Sequence, residues 1–528
     1  MKRSFIFASA IILLLAASLR IYHLGRRSLW LDEALAANIS RGTLSQTLTL
    51  TRGFHSAPIL DPLILFATEK ISSGPFAVRF PSFIASLLAV ALVLGFVFIP
   101  SVDPRTAALA ALMLAVSAPQ IRYAQEVREY SLGVLYAVVL IYVFLSYLSS
   151  QEIEPSPAPL CLAMFAAPLV QYGLVLFGVG VLLALFLLEL AGRRRSRRFV
   201  HIFLASGCFG LGGLLSYFLT LRYQWEGTAF YLTEYYWIPG MNPLRFVLAN
   251  TQHLFTSLLL PGLGAAVISV LAILIYIGAG VRSRILSPLA VLACTTFGTA
   301  LAFAFLHKYP YGPVRQCLYL APVLCLFASQ CLVEVAGKFR GRIGSFLFAG
   351  ILAIILVSSI FQIRSANPYA EVEDIQKILL YLRGQMAPGD NVYVYSSAVP
   401  AADFYIKPRD SRFLYGNYHR EAPQEYAVEL QQGLAPGTKR VWILFCHIYQ
   451  DEDQRIVHDL DPAWNIALEV ASQGCSLYLA VRRAGTVADE SALPSPVLSA
   501  DQASNVLASH THDSFWEWNF RNSRPSIH

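Results

Sequence analysis

The chain has 528 residues, of which 56% are hydrophobic and only 14% charged, with a formal net charge of +7. Soluble domains carry about 25% charged residues, and here the apolar residues gather in runs of about 20, the length that crosses a bilayer. The positive charge sits in short Arg/Lys clusters between these runs, the pattern of the positive-inside rule rather than a nucleic-acid surface. No nucleic-acid partner is expected.

In chain order, about eleven spans are expected: 4–22, 80–100, 106–121, 130–148, 159–171, 172–190, 199–221, 262–281, 287–306, 314–334 and 343–363. Lys2 and Arg3 before an apolar core, with Ala16-Ala17-Ser18 behind it, also fit a cleaved signal peptide, although the run is long for one. The stretch 159–190 would be about 48 Å long as one helix, against a hydrocarbon core of about 30 Å. Pro168 and Gln171 near its middle favour two spans. With that split, Lys2-Arg3, the cluster 193–198, Arg282, Arg284, Lys338, Arg340 and Arg342 share one side, which should be cytoplasmic. Loops 23–79, 122–129, 222–261 and 307–313 then face outward, as does everything after residue 364. Within the first loop, 54–72 reads as an interfacial helix interrupted by Asp61 and Glu69.

The pattern changes after the last span. Residues 371–386 look helical, and 391–396, 440–446 and 475–481 look like short buried strands separated by Pro-Gly turns at 388–389 and 436–437. The expected organisation is a transmembrane domain over 1–364, an extracytoplasmic α/β domain over 365–485 and a flexible tail over 486–528. Within the tail, Phe515, Trp516, Trp518 and Phe520 suit either a membrane interface or docking on the domain. Six cysteines (Cys161, Cys208, Cys294, Cys317, Cys325 and Cys331) lie in apolar runs as small hydrophobes. Cys446 and Cys475 are able to pair in an oxidising compartment.

Four segments carry candidate chemistry. Ser28-Leu29-Trp30-Leu31-Asp32-Glu33 places two carboxylates beside a membrane surface, where desolvated acids are costly; a helix start capped by Ser28, with acids in its first turn, explains the same pattern. Arg122 to Tyr130 holds four charges. It reads either as an interfacial lattice, Arg122 and Glu126 being i,i+4 neighbours, or as an acid and cation site in which Glu126 and Glu129 are the acids and Arg128 binds phosphate with its forked donors. His55, followed by Asp61-Pro62, is a metal ligand, a proton carrier or merely solvated. His307, Lys308 and Arg315 place cations outside, against the positive-inside tendency. That favours an anionic lipid headgroup, with snorkelling as the plain alternative.

Taken in order, several segments resemble membrane glycosyltransferases of the GT-C superfamily, in the branch of protein O-mannosyltransferases, lipid A aminoarabinose transferases and bacterial RgtA/B/C/D-like enzymes. They are SLWLDEA, HSAPILDPLILF, AVRFPSFIASLLAV, RYAQEVREYSLGVLYA, YGPVRQCLYLAPVLCLFA and VEDIQKILLYLRGQMAPGDNVYVYSS. Ala57 and Glu129 stand where that pattern has proline. The resemblance implies a polytopic helical fold in the cell (inner) membrane and transfer of a sugar from a polyprenyl-phosphate donor to a hydroxyl on the outer face. Asp32 would be the general base, assisted by Glu33, with Glu126 a second acid. Arg128, Arg315 and Lys308 would hold the donor phosphate. A divalent cation on His55 and Glu126 is the one cofactor this reading allows. The acceptor would be lipid, glycan or protein. The alternative is a transporter or flippase of lipid-linked sugars, which would place ionisable residues near the bilayer midplane.

Overall fold

A computed structural model of the chain describes residues 3–149, 155–191, 198–224, 233–258, 287–339 and 342–483, apart from 407–409, 420, 421, 423, 436, 449, 450, 461 and 462. The expected span 262–281 and the tail with its aromatic cluster lie outside the described residues. The chain divides into two compact units. One comprises Met1–Leu24 with Ile39–Tyr369, and the other Gly25–Asn38 with Ala370–His528.

The first unit is helical. Among the described residues, eight helices are long and apolar enough to cross a membrane: Arg3–Ile21, Pro75–Phe98, Tyr130–Ser149, Gly173–Ala191, Arg198–Gln224, Pro288–Phe305, Arg315–Gly337 and Arg342–Ala366. Two shorter apolar helices, Pro104–Val116 and Ala158–Val170, accompany them. The long stretch 159–190 is broken at Gln171, whose extended backbone (φ −155°, ψ 141°) ends one helix before Gly173 begins the next. The first loop holds helices Leu44–Phe54 and Leu60–Ile71. The former starts at a capping box in which Thr43 and Gln46 satisfy each other's backbone N–H groups. Pro75, Pro104 and Pro288 stand at helix starts, where the missing N–H costs nothing.

Close packing in this unit needs small residues. A Cβ on Gly212 would stand 1.9 Å from the carbonyl oxygen of Phe165, and one on Gly180 would stand 2.7 Å from the Cα of Thr296. Helix Arg198–Ser216 thus lies backbone-close to Ala158–Val170, and Gly173–Ala191 lies close to Pro288–Phe305. Arg20 is fully buried at the end of the first span and has a structural task. It donates to Ser86 Oγ (2.8 Å) and to the carbonyls of Leu114 (2.9 Å) and Ala115 (2.8 Å). Those carbonyls belong to the last turn of Pro104–Val116, where no helical donor reaches them. Gln125 in turn donates to the carbonyls of Arg20 (2.8 Å) and Tyr22 (2.7 Å), fastening the second loop to the end of the first span.

The second unit is α/β. Its five-stranded sheet has the order β2-β1-β3-β5-β4, with β1 Asn391–Val394, β2 Phe413–Tyr415, β3 Arg440–Cys446, β4 Trp464–Ser472 and β5 Cys475–Arg482. β1 runs parallel to β2 and β3, while β5 runs antiparallel to β3 and β4. β3 is central and buried almost throughout, which explains its unbroken apolar run. Cys446 and Cys475 are cross-strand neighbours and form a disulfide. The helix expected over 371–386 begins only at Ile375 and ends at Gln385. Residues Gly25–Asn38 pack with this unit, although in sequence they belong to the first loop.

Candidate functional site

In the helical unit, a charged cluster forms where the C-terminal end of the second loop meets the His55 turn. His55 Nε2 lies 3.3 Å from Asp61 Oδ2, and Arg128 Nη1 lies 3.5 Å from His55 Nδ1. A guanidinium only donates, so Nδ1 accepts and Nε2 carries the proton toward Asp61. Arg128 Nε also faces Glu129 Oε2 at 3.5 Å. All four residues are buried. Burial pushes the Glu129 carboxyl up; Arg128 opposes that, Asp61 adds to it and His55 opposes it.

His55, Asp61 and Glu129 each offer one ligand atom, all within 4.8 Å of one another. One imidazole nitrogen with two carboxylate oxygens suits Zn²⁺ or Mn²⁺ better than Ca²⁺. Glu126 is not in this group: its Oε1 accepts from Arg122 Nε at 2.7 Å, the i,i+4 pair that the spacing suggests.

The His55 turn is clamped from a distant helix. Gln224 Nε2 donates to the carbonyls of His55 (2.6 Å) and Thr51 (3.0 Å), and its Oε1 accepts from Tyr172 OH (2.7 Å). Tyr172 stands at the break between Ala158–Val170 and Gly173–Ala191, so the helix break serves the site. Neither Gln224 nor Tyr172 carries a charge, and nothing in their local sequence marks them.

Two guanidinium groups converge on one ring. Arg128 lies 5.8 Å and Arg315 5.6 Å from the centroid of Tyr130. Arg315 begins a short 3₁₀ turn, Arg315–Leu320, and is half-buried. Cation–π attraction steadies each group, but two like charges gathered in one place also favour an anion between them. Lys308 is exposed, in the loop after Pro288–Phe305.

In the α/β unit, Asp32 and Glu33 form the first turn of helix Leu31–Ile39. Asp32 is half-buried and Glu33 buried. The Ser28 hydroxyl donates to Asp374 Oδ1 (3.1 Å) and accepts from Gln376 N (3.3 Å), at the start of Ile375–Gln385. Glu373 Oε2 accepts from the N–H of Leu31 at 3.0 Å.

No protein-family model matches the chain, and no curated protein matches it in sequence. Solved structures do resemble it. ArnT from Cupriavidus metallidurans bound to undecaprenyl phosphate aligns with a TM-score of 0.55 and 13% identity, over 89% of this chain and 97% of that one. The oligosaccharyltransferase of Archaeoglobus fulgidus in its apo form aligns with a TM-score of 0.52 and 13% identity, over 84% and 70%. The same enzyme in complex with Zn and sulfate aligns at 0.50 and 14% identity, over 89% and 72%. At such identities the likeness speaks to the fold alone: the chain shares the architecture of these proteins, a bundle of apolar helices long enough to cross a membrane followed by a small C-terminal α/β domain.

Proposed function

We propose that this protein is a glycosyltransferase that moves a sugar from a polyprenyl-phosphate carrier to an acceptor hydroxyl at the outer face of the cell membrane. The observation that carries the reading is the pair Arg128 and Arg315 at the Tyr130 ring, in a fold shared with an enzyme whose structure holds undecaprenyl phosphate. Guanidinium groups are the side chains best matched to a phosphate leaving group, since their planar forks donate in pairs.

The acceptor oxygen attacks C1 of the sugar while Asp32 takes its proton. The bond from C1 to the phosphate oxygen breaks, and its electron pair leaves with the polyprenyl phosphate. Arg128 and Arg315 hold the charge that grows there, and Lys308 attracts the anionic headgroup from the loop. One displacement at C1 inverts the anomer. Glu33 orients Asp32, and Glu126, held by Arg122, positions the acceptor. His55, Asp61 and Glu129 would hold a divalent cation, which would supply further neutralisation of phosphate charge.

Purified protein is incubated with undecaprenyl-phosphate sugars labelled in the sugar, a panel of hexoses and pentoses, with water or candidate acceptors. Label leaves the carrier in the wild type and stays on it in Asp32→Asn. An Asp32→Asn variant that turns over like the wild type removes Asp32 as the base.

A further inference from the structure

The α/β unit contains a chain of contacts that ends on the acidic helix. Leu31 is the first residue of Leu31–Ile39, so its N–H has no partner within the helix. Glu373 supplies one through Oε2 at 3.0 Å. Its other oxygen, Oε1, lies 2.7 Å from His447 Nδ1. Glu373 is buried, so both of its oxygens are occupied away from water.

His447 touches the same helix start a second way. Its ring stacks on Trp30, with centroids 6.2 Å apart and planes 26° from parallel. It holds a left-handed backbone (φ 57°) and donates its N–H to the Gly474 carbonyl (3.3 Å). Its chain neighbour Cys446 is bonded to Cys475, the neighbour of Gly474. The irregular segment before Ile375–Gln385 crosses the same turn: Asp374 N donates to the Gln473 carbonyl at 2.8 Å, and a Cβ on Gly474 would stand 2.3 Å from the Val372 carbonyl oxygen. The disulfide therefore ties the chain next to His447 to the turn that packs against the segment carrying Glu373.

We infer that Glu373 and His447 are positioning residues that set the direction of the Asp32 carboxylate, and that the Cys446–Cys475 bridge locks them in place. This rests on Asp32 being the base. Misplacing a reacting carboxylate by about 1 Å costs on the order of a hundredfold in rate, whereas donor binding is left to other groups.

The test uses the full-length protein in nanodiscs and two readouts. The first is steady-state turnover of the undecaprenyl-phosphate sugar that the wild type consumes. Glu373→Ala and His447→Ala should lower kcat roughly tenfold to a hundredfold with donor KM within about twofold. Glu373→Gln, which keeps an acceptor oxygen for Leu31, should recover part of the loss. The second readout is hydrogen exchange over residues 29–36, which needs no substrate. It should quicken in both alanine variants and in wild type treated with a phosphine reductant. A Cys446→Ser/Cys475→Ser variant should already exchange fast and ignore the reductant.

Unchanged kcat in Glu373→Ala and His447→Ala, with Asp32→Asn inactive, overturns the inference and spares the proposed function. Activity in Asp32→Asn overturns both. Unchanged exchange over 29–36 in folded variants overturns the inference whatever the sugar proves to be. A rise in KM with kcat intact would place Glu373 and His447 in donor binding and equally overturn it.

Discussion

At the scale of single residues, the grouping of charges decides what the site can bind. Arg128→Ala and Arg315→Ala should each weaken undecaprenyl phosphate binding about tenfold or more, since a hydrogen bond to a charged group contributes roughly 1.5–3 kcal/mol. Native mass spectrometry of the nanodisc-embedded protein checks this, and unaltered binding in both would move the phosphate elsewhere. If a cation sits on His55, Asp61 and Glu129, Mn²⁺ or Zn²⁺ should raise the thermal midpoint of the wild type. It should leave His55→Ala and Asp61→Asn unmoved. The residue types of this cluster were legible in the sequence, but their grouping was not. The family resemblance offers Glu126 beside His55 as a cation ligand; the structure pairs one Glu126 oxygen with Arg122 and brings Asp61 and Glu129 close to His55. Loop curvature decides which of two nearby acids faces His55, and no periodicity encodes that. Gln224 and Tyr172 were invisible as site residues because each acts through a contact far away in sequence, and the Arg315 contact of Tyr130 is equally distant.

At the scale of elements, apolar length is a strong signal and edges are a weak one. The break inside 159–190 could be read from Pro168 and Gln171 against bilayer thickness, and the chain does break at Gln171. β1, β3 and β5 are apolar runs and were readable. β2 spans only Phe413–Tyr415, and β4 at the sheet edge buries only Val470 among exposed and half-buried positions, so neither carries a buried-strand pattern. The close helix contacts make a prediction of their own. Gly212→Ala and Gly180→Ala force a methyl group against neighbouring backbone, and overpacking of this kind costs about 1–3 kcal/mol. Both variants should melt measurably lower than wild type in a tryptophan-fluorescence scan, while Gly298→Ala, with open space at its Cβ, should not.

At the scale of the whole molecule, what could be read was a membrane-spanning chain with an α/β domain behind it. What could not be read was that Gly25–Asn38 packs with that domain. The hydrogen bonds from Ser28, Leu29 and Leu31 to Asp374, Tyr405 and Glu373 cross more than 340 positions of sequence. The disulfide also bears on location: a Cys446–Cys475 bridge persists where the compartment is oxidising. Alkylation of intact cells before lysis should leave these two thiols unmodified until reductant is added. Free thiols at both positions would place the domain on the reducing side.

The central claim is that the chain transfers a sugar instead of carrying it across the membrane. Proteoliposomes loaded with undecaprenyl-phosphate sugar, labelled separately in sugar and carrier, separate the two. The account predicts that the labels part company, with sugar released to water or acceptor by wild type and not by Asp32→Asn. Movement of doubly labelled, intact carrier between leaflets, with no parting of the labels, would contradict it.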